Sequence, residues 1–442
     1  MNRFQKCFCM LLTLIMVAGT LTAMAQPETE TITLWHSMSG TNGETLAAIV
    51  EAYNASQSVY KVEMEFQGSY NDTIAKLQSS PEGMRPDVVQ LAEVNTCWMA
   101  YSEYYLPVQD FIDSERLDVS DYQEAILGYY TVNGKLLSMP FNCSVPCIIY
   151  NADVIREAGV DPETLGTLSG VLAASKTVVE KGLSRYGCCF NGEGFVFENY
   201  FGMLGAHITD NQNGHNGIST RLVIDDNGSA EKLFSIWLDF MRDESTISYG
   251  GGSAGASEGK KEISAGNVAM YIGSCGAYSS IREGASGVFE VEIRALPKLS
   301  HEDPYNLTVG GGSLWVVNNG DETQDEGAFD FIKFTASQGM QSLWASSTGY
   351  LPVSKSAQET DVYQAFLENT AEFHTVLAAM QESTAQSAGP LFGVSNKWRS
   401  VLENELQMLL DDEGYAIEDA VASICMQIND EIALYLESNG LI

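Results

Sequence analysis

A proline-interrupted apolar segment, residues 139–150 (MPFNCSVPCIIY), constrains the fold more than any other part of the sequence. Pro140 and Pro146 each remove a backbone donor, so the segment cannot be an ordinary central strand along its whole length. Its last four residues form a continuous apolar run of the kind that is buried on both faces of a sheet. Two interpretations remain open: a kinked edge strand, or a chain that crosses from one lobe of the molecule to another.

The residues before this segment alternate between strand and helix patterns. Strands are predicted at residues 32–35, 59–67 and 88–92. Between the first two, Leu46 and Tyr53 belong to an apolar stripe with helical spacing. This order is typical of a parallel sheet covered by helices, and such sheets bind ligands beyond the carboxyl ends of their strands. His36 follows the first strand and is therefore a candidate for lining a cleft, although a structural hydrogen bond explains it equally well.

The residues after the segment show a second set of strand and helix patterns. Strands are predicted at 185–190, 268–272, 288–296 and 312–317, and helices at 168–182, 198–205 and 230–243. Helices are also predicted to fill most of 327–346, 361–382 and 395–438. Residues 250–260 (GGGSAGASEGK) have the composition of a flexible surface loop or hinge. The glycines at 310–312 mark either a tight chain reversal or a close approach of the backbone to a ligand.

The first 25 residues have the features of a cleavable signal peptide. Arg3 and Lys6 precede an apolar run at 11–17, and Ala23–Met24–Ala25 closes the segment. We therefore expect export, cleavage near Ala25 and a periplasmic location. Without Arg3 and Lys6, 21 basic side chains remain against 58 acidic ones, a net charge of −37. Such a charge repels nucleic acid and anionic membrane surfaces, and an anionic ligand needs a local site that overcomes it.

Neither a metal site nor a disulfide framework is indicated. Seven cysteines follow the signal peptide, and their odd number leaves at least one thiol unpaired. Cys143 and Cys147 would lie roughly 13 Å apart on an extended segment, too far for a disulfide. No cysteine pair has histidine partners at zinc spacing, so we expect buried thiols and neither metal nor cofactor.

One pattern points to an enzyme. Residues 251–255 (GGSAG) match G-x-S-x-G, in which Ser253 would be the nucleophile of a hydrolase. That motif requires an apolar strand before the serine and a helix directly after it, and neither is predicted here. A secreted hydrolase using Ser253 is kept as an alternative on the motif alone. Because its structural context is not predicted, no catalytic residue is assigned.

Five motifs in a fixed order resemble a known family. They are PFN-x-S-x-P followed by YN-x-D, LWHSMSG (34–40), GSY (68–70), GGGSLWVV (310–317) and TGYLPVSKSA (348–357). Together they resemble the extracellular solute-binding proteins of ABC importers, and among these the members that bind glycerol 3-phosphate. The resemblance extends over residues 31–430 and implies an α/β clamshell of two lobes, each a sheet covered by helices, hinged by chain crossings. It implies that residues 26–139 plus 312–336 form lobe one and that residues 140–311 plus 337–442 form lobe two.

The resemblance also implies a set of ligand contacts. They are Tyr70, Glu93, Ser144, Ser274, Gly311, Tyr350 and Arg399. Glu93 would accept glycerol hydroxyls, and the planar fork of Arg399 would bind two phosphate oxygens. Without the resemblance, Arg399 is more simply explained as a solvated ion-pair partner of acidic residues on its own helix, because an arginine among carboxylates usually has that role. Phe195 stands where the family has tryptophans, so a cation–π contact with a larger head group would be weaker here.

The function implied is that of a binding protein and not of an enzyme. A monomer would bind glycerol 3-phosphate or a glycerophosphodiester in the cleft between the lobes and deliver it to a membrane permease. A neutral sugar or oligosaccharide is the alternative in the same fold, because Tyr70, Glu93, Phe195 and Tyr350 suit either ligand.

Overall fold

A computed structural model describes residues 29–370, 372–383 and 389–441. The expected signal peptide, residues 1–25, and its cleavage site near Ala25 lie outside these residues. No helix within the described ranges is both long and apolar enough to cross a membrane.

The strands of the described residues form two main sheets and one small hairpin. They are β1 (Glu30–His36), β2 (Tyr60–Phe66), β3 (Val88–Ala92), β4 (Tyr105–Leu106), β5 (Thr131–Val132), β6 (Lys135–Leu136), β7 (Met139–Ser144), β8 (Pro146–Asn151), β9 (Tyr186–Phe190), β10 (Thr246–Ile247), β11 (Val268–Ser274), β12 (Val291–Ala295) and β13 (Gly310–Val317). The first sheet has the order β2-β1-β3-β13-β4, and β7 also pairs with β13. The second has the order β10-β9-β11-β8-β12, and β5 pairs with β6 in the hairpin.

Helices cover both sheets, so each sheet has its own lobe. In chain order they are α1 (Gly40–Ser56), α2 (Tyr70–Ser79), α3 (Thr96–Ala100), α4 (Val108–Glu115), α5 (Glu124–Tyr130), α6 (Ala152–Ala158), α7 (Leu168–Glu180), α8 (Gly194–Met203), α9 (Ser229–Met241), α10 (Gly252–Ser264), α11 (Tyr278–Gly284), α12 (Glu322–Thr335), α13 (Gln338–Thr348), α14 (Asp361–Glu368), α15 (Phe373–Glu382), α16 (Ser395–Asp411) and α17 (Ile417–Ser438). In α1 the predicted stripe, which includes Leu46 and Tyr53, is buried. Burial of such stripes against the sheets stabilises helices that would be marginal alone.

Parallel pairing places the ends of several strands at one edge of each sheet. In the first sheet β1 pairs in parallel with both β2 and β3, as strand–helix–strand spacing predicts. In the second sheet β9 pairs in parallel with β10 and β11. Each sheet also has an antiparallel pair: β13 pairs antiparallel with β3 in the first, and β8 pairs antiparallel with β11 in the second.

The segment at 139–150 crosses between the two sheets. Its first half is β7, which pairs with β13 of the first sheet, and its second half is β8, which pairs with β11 and β12 of the second. Pro140 faces Ser313, where the register of the β7–β13 ladder shifts. Pro146 is the first residue of β8, a position that tolerates a missing donor. The crossing interpretation is therefore confirmed. The edge-strand interpretation holds only for β7, which pairs with β13 alone, because β8 has a neighbouring strand on each side.

The glycine-rich stretch at 250–260 is not a flexible loop. Most of it belongs to α10, which packs against β11. A Cβ on Gly259 would lie 2.7 Å from the Tyr271 ring, so glycine lets the helix approach the sheet closely. Composition predicted a loop because glycine disfavours isolated helices, and tertiary packing overrides that preference here.

Candidate functional site

A cleft lies where the ends of strands from both sheets meet. Glu93 directly follows β3, Ser144 ends β7 and Ser274 ends β11. Gly311 lies in β13, opposite Cys143 of β7. Four of the residues predicted from the sequence are therefore placed at the facing edges of the two lobes by the sheet topology alone.

Arg399 joins two buried carboxylates within this cleft. Its Nη2 lies 2.8 Å from Oε1 of Glu93 and 2.6 Å from Oε2 of Glu198, and its Nε donates to Glu198 Oε1 at 2.9 Å. The Trp398 indole N–H also donates to Glu198, at 3.0 Å. The side chains of Glu93 and Glu198 are 4% and 2% exposed, and that of Arg399 is 19% exposed. This cluster connects the end of β3 with α8 and α16.

Burial and charge oppose each other in this cluster. Burial raises the pKa of Glu93 above its usual value, although the charge and hydrogen bond of Arg399 act in the opposite direction. Burial also disfavours the charged form of Arg399, but Glu198 and Glu93 together raise its pKa well above the usual value. Two carboxylates against one guanidinium leave a formal charge of −1. Arg399 is therefore permanently charged and already neutralised by protein groups.

The partners of Arg399 are not the acidic residues of its own helix. Glu405 accepts from Tyr415 and Ser423, and Glu403 accepts the backbone N–H of Gly194 at 3.1 Å. The interpretation of Arg399 as a solvated ion-pair partner of those residues is therefore wrong. The Phe195 ring centroid lies 5.7 Å from the Arg399 guanidinium carbon, within range of a cation–π contact.

A buried chain of amides holds Tyr70 at the cleft. Asn142 Nδ2 donates to the Tyr70 hydroxyl at 2.7 Å, and Gln90 Nε2 donates to Asn142 Oδ1 at 2.8 Å. The backbone N–H of Ser37 donates to Gln90 Oε1 at 2.9 Å, which extends the chain to the residue after β1. Burial raises the pKa of Tyr70 well above its usual value, so its hydroxyl stays protonated and can donate.

The three glycines of β13 fit closely against this network. Gly311 has φ +91°, and a Cβ there would lie 1.9 Å from the Asn142 carbonyl oxygen. A Cβ on Gly310 would lie 2.4 Å from the Phe195 ring. The chain does not reverse at these glycines, because β13 continues through them. Their backbone approaches other protein groups closely, at the edge of the cleft.

A cavity of about 340 Å³ lies between the lobes. Residues 39–42 at the start of α1 line it from one lobe, and Glu193, Lys260 and residues around β11 line it from the other. Ser274 and Tyr350 are both among the lining residues. The Tyr350 ring stacks on Trp344 with a centroid distance of 5.6 Å, and burial raises its pKa to about 12. The cavity wall therefore presents protonated hydroxyls.

Other predicted residues lie outside the lining of this cavity. Ser144 is buried opposite Gly310, and Tyr70 and Glu93 belong to the polar clusters beside the cavity. His36 is buried, and its Nδ1 accepts the backbone N–H of Met38 at 3.3 Å. Its ring lies 5.8 Å from that of Phe66, so its contacts are those of a structural histidine.

Three polar residues of the cleft were missed by the sequence analysis: Gln90, Asn142 and Glu198. Asn142 stands inside the PFN-x-S motif, and Gln90 interrupts the apolar strand β3. A polar side chain in a buried strand requires a hydrogen-bond partner, which was an available signal. Glu198 lies in α8, a helix whose residues are almost all buried, and the same signal applies to it.

Comparison with known proteins identifies the family. The family model described as bacterial extracellular solute-binding protein matches residues 48–371. The chain belongs to this family. The sn-glycerol-3-phosphate-binding periplasmic protein UgpB of Yersinia pestis (bv. Antiqua, strain Antiqua) is 29% identical over 403 residues, covering 89% of this chain and 90% of the relative. The protein of the same name from Escherichia coli O6:K15:H31 (strain 536) is 30% identical over 354 residues, covering 79% and 80%.

Solved structures of similar shape confirm the fold. The GacH receptor of Streptomyces glaucescens has a TM-score of 0.75 at 18% identity, covering 92% of this chain and 99% of the receptor. UgpB from Mycobacterium tuberculosis, in complex with glycerophosphocholine, has a TM-score of 0.74 at 18% identity, with the same coverage. The predicted two-lobed clamshell is therefore confirmed. The family match reported above makes the chain a solute-binding protein of an ABC importer and not an enzyme.

The hydrolase alternative fails on local geometry as well as on family. Ser253 is the second residue of α10 and is exposed, and β10, before it, has two residues. No apolar strand therefore leads directly into a strained turn at this serine. In the described ranges, no group of three or more His, Cys, Asp or Glu side chains could hold a metal ion, and all seven cysteines there are free and buried.

Proposed function

We propose that this protein binds glycerol 3-phosphate or a glycerophosphodiester in the interlobe cleft and presents it to a membrane permease. The size and lining of the cavity carry this proposal. At about 340 Å³ it lies near the lower end of typical ligand pockets, which are roughly 300–1,000 Å³. Hydroxyls of Ser274, Ser280 and Tyr350 line it, and such donors suit a small, strongly polar ligand better than an oligosaccharide.

The relatives support the same ligand class. Two of them, 29% and 30% identical over most of the chain, carry glycerol 3-phosphate in their names. We propose that the ligand contacts Ser274 and Tyr350 in the cavity wall and extends to the other five residues expected from the sequence, which lie outside the cavity lining: Tyr70, Glu93, Ser144, Gly311 and Arg399. In this arrangement Glu93 accepts hydroxyls of the glycerol part, beside the Nη1 group of Arg399, which has no hydrogen-bond partner among the described residues.

Closure and export complete the proposal. The ligand would contact lobe one through Tyr70 and Glu93 and lobe two through Ser274 and Tyr350, so it would stabilise the closed form that the permease recognises. The lobes would comprise residues 26–139 plus 312–336 and residues 140–311 plus 337–442. We also propose that the protein acts as a periplasmic monomer after cleavage near Ala25, which mass spectrometry and light scattering of the exported protein would check.

Titration calorimetry of the mature chain tests the ligand class. Glycerol 3-phosphate, glycerophosphocholine and maltose are titrated separately under the same conditions. We expect saturable heat with at least one of the two glycerophosphates and none with maltose. Saturable heat with maltose alone would contradict the proposal and support the oligosaccharide alternative.

A further inference from the structure

One carboxylate oxygen in the cavity wall is open to a ligand. Glu193 lines the cavity and is partly buried. Its Oε1 accepts from the Tyr271 hydroxyl at 3.3 Å and from Asn191 Nδ2 at 3.4 Å. Its Oε2 accepts no hydrogen bond from any residue that the structure describes. An acceptor of this kind in the wall of a ligand cavity is available to a donor on the ligand.

The Glu193 carboxylate is also unfavourable for folding. Burial, with a smaller effect of the Glu403 charge, raises its pKa to about 7. The charge of Lys260 acts in the opposite direction, as do the hydrogen bonds from Asn191 and Tyr271, but Lys260 forms no ion pair with Glu193 within the described ranges. An ionisable group that costs stability and lies in a cleft is a candidate for a role in binding.

The charges of the cavity wall favour a cation over a second anion. Glu193 and Glu283 contribute two carboxylates and Lys260 one ammonium group, so the formal charge of the wall is −1. Glu283 accepts from the neutral Thr41 hydroxyl at 2.5 Å across the two lobes. A positively charged ligand group is therefore attracted to this wall, and a further negative group is repelled.

The wall at Glu193 adjoins the proposed phosphate site. Gly194 follows Glu193 in the chain, and a Cβ there would lie 2.5 Å from Cγ of Arg399. Nη1 of Arg399 has no hydrogen-bond partner among the described residues, so it can donate to a phosphate oxygen. A short head group attached to this phosphate is therefore near Glu193.

A primary ammonium fits this wall better than a quaternary one. Its N–H groups can donate to Glu193 Oε2 and to the hydroxyl oxygen of Ser280, which lines the same cavity. A quaternary ammonium has no N–H group and is recognised mainly by aromatic faces. The ring of Phe195 already lies 5.7 Å from the guanidinium carbon of Arg399. The available acceptor therefore favours a head group that can donate hydrogen bonds.

We propose that Glu193 selects a glycerophosphodiester whose head group carries a primary ammonium, such as ethanolamine, and that its Oε2 accepts a hydrogen bond from that ammonium. This inference rests on the proposed function, because it assigns the head group of that ligand while Arg399 holds the phosphate. A zwitterionic ligand brings no net negative charge into a cleft that the protein's own carboxylates already make negative, whereas glycerol 3-phosphate does.

Titration calorimetry of the mature chain at about pH 8, where Glu193 is ionised, tests this selection. Glycerophosphoethanolamine is compared with the diester of glycerol 3-phosphate and ethylene glycol, which has a hydroxyl in place of the ammonium. Glycerophosphocholine and glycerol 3-phosphate complete the set. The wild type should bind glycerophosphoethanolamine about tenfold or more tightly than the ethylene glycol diester, because the latter cannot form the charge-assisted hydrogen bond.

The variant Glu193→Gln removes the charge and keeps the size of the side chain. It should weaken binding of glycerophosphoethanolamine by about tenfold and leave binding of the ethylene glycol diester nearly unchanged. The matched control is Glu82→Gln, which removes an exposed carboxylate outside the cavity and should leave both affinities unchanged. Circular dichroism of each variant confirms that the fold is intact.

The outcomes separate this inference from the proposed function. If the wild type binds none of the four glycerophosphates, the proposed function is wrong and the selection by Glu193 is wrong with it. If it binds at least one but does not prefer glycerophosphoethanolamine to the ethylene glycol diester, only the selection is wrong. Tighter binding of glycerophosphocholine than of glycerophosphoethanolamine would overturn the preference for a primary ammonium. An equal loss of both diesters in Glu193→Gln would also overturn it, since packing and not charge would then explain the effect.

Discussion

Arg399 and Glu93 connect the two lobes directly, with 2.8 Å between Nη2 of Arg399 and Oε1 of Glu93. Glu93 follows β3 of the first sheet, whereas Arg399 belongs to α16, which packs on α8. The Asn396 amide, one turn earlier in α16, donates to Asn95 Oδ1 at 3.1 Å. Two contacts of α16 therefore fasten the lobes at this side of the cleft.

Removal of Arg399 should destabilise the protein strongly. Arg399→Ala leaves Glu93 and Glu198 buried without a counter-charge, and we expect a loss of about 3–5 kcal/mol in the free energy of unfolding. Glu93→Gln removes one carboxylate and leaves Arg399 paired with Glu198, so its effect should be much smaller. Urea denaturation measures both, and equal stabilities of Arg399→Ala and wild type would show that the cluster is not maintained in solution.

Gly311 should not tolerate a side chain. Gly311→Ala combines a positive φ with a Cβ placed 1.9 Å from the Asn142 carbonyl oxygen, and we expect a loss of about 2 kcal/mol or more. Gly339 is the matched control, because it lies in the first turn of α13 with nothing within 4 Å of its Cβ position. Gly339→Ala should change stability by less than about 1 kcal/mol, in the stabilising direction. Similar thermal midpoints for both variants would contradict the crowded geometry at the crossing.

Glu193 should make stability depend on pH. Burial, with a smaller effect of the Glu403 charge, raises its pKa to about 7, although hydrogen bonds from Asn191 and Tyr271 and the charge of Lys260 act in the opposite direction. The folded state therefore binds more protons than the unfolded state between about pH 4.3 and 7, and its stability falls as the pH rises through this window.

The variant Glu193→Gln isolates this contribution. Its gain in thermal midpoint over wild type should be larger at about pH 8, where wild-type Glu193 is ionised, than at about pH 5.5, where it is protonated. The comparison with wild type at each pH matters because burial lowers the pKa of His36 and His215, which has the opposite effect on stability. The exposed Glu82→Gln is the control, and an equal gain in both variants at both pH values would show that Glu193 titrates normally.

Ligand binding should compact the molecule. The proposed contacts are divided between the lobes, so saturating glycerol 3-phosphate should shift the population toward the closed form. Small-angle scattering of the mature chain should show a smaller radius of gyration with the ligand than without it. Maltose at the same concentration is the control, and an unchanged radius with bound glycerol 3-phosphate would argue against closure.

The sequence predicted the fold well because its periodic patterns are local. The strand at residues 88–92 and the helix stripe at Leu46–Tyr53 depend on neighbours within a few residues, and the structure confirms both. The lobe crossing could be predicted because Pro140 and Pro146 restrict the backbone directly. The prediction of a loop at 250–260 was wrong because the packing of Gly259 against Tyr271 depends on residues that are distant in the chain.

The electrostatic partners were less predictable for the same reason. Arg399 stands among the acidic residues of its own helix, yet its partners lie 201 and 306 positions away in the sequence. Charge patterning within one helix cannot reveal such pairs, since it reports only neighbours three or four residues apart. The amide chain from Gln90 to Tyr70 likewise joins segments that meet only when β3 and β7 flank β13.

The crossing between β7 and β8 limits how the lobes can move. A single residue, Val145, separates the last residue of β7 from the first of β8, and both strands are fixed by ladders in different sheets. One residue extends at most about 3.6 Å, so the sheets cannot slide apart by more than a few ångströms at this point. Relative motion there must be rotation about the backbone torsions next to Val145. The cleft therefore opens by rotation of one lobe about this point and not by translation.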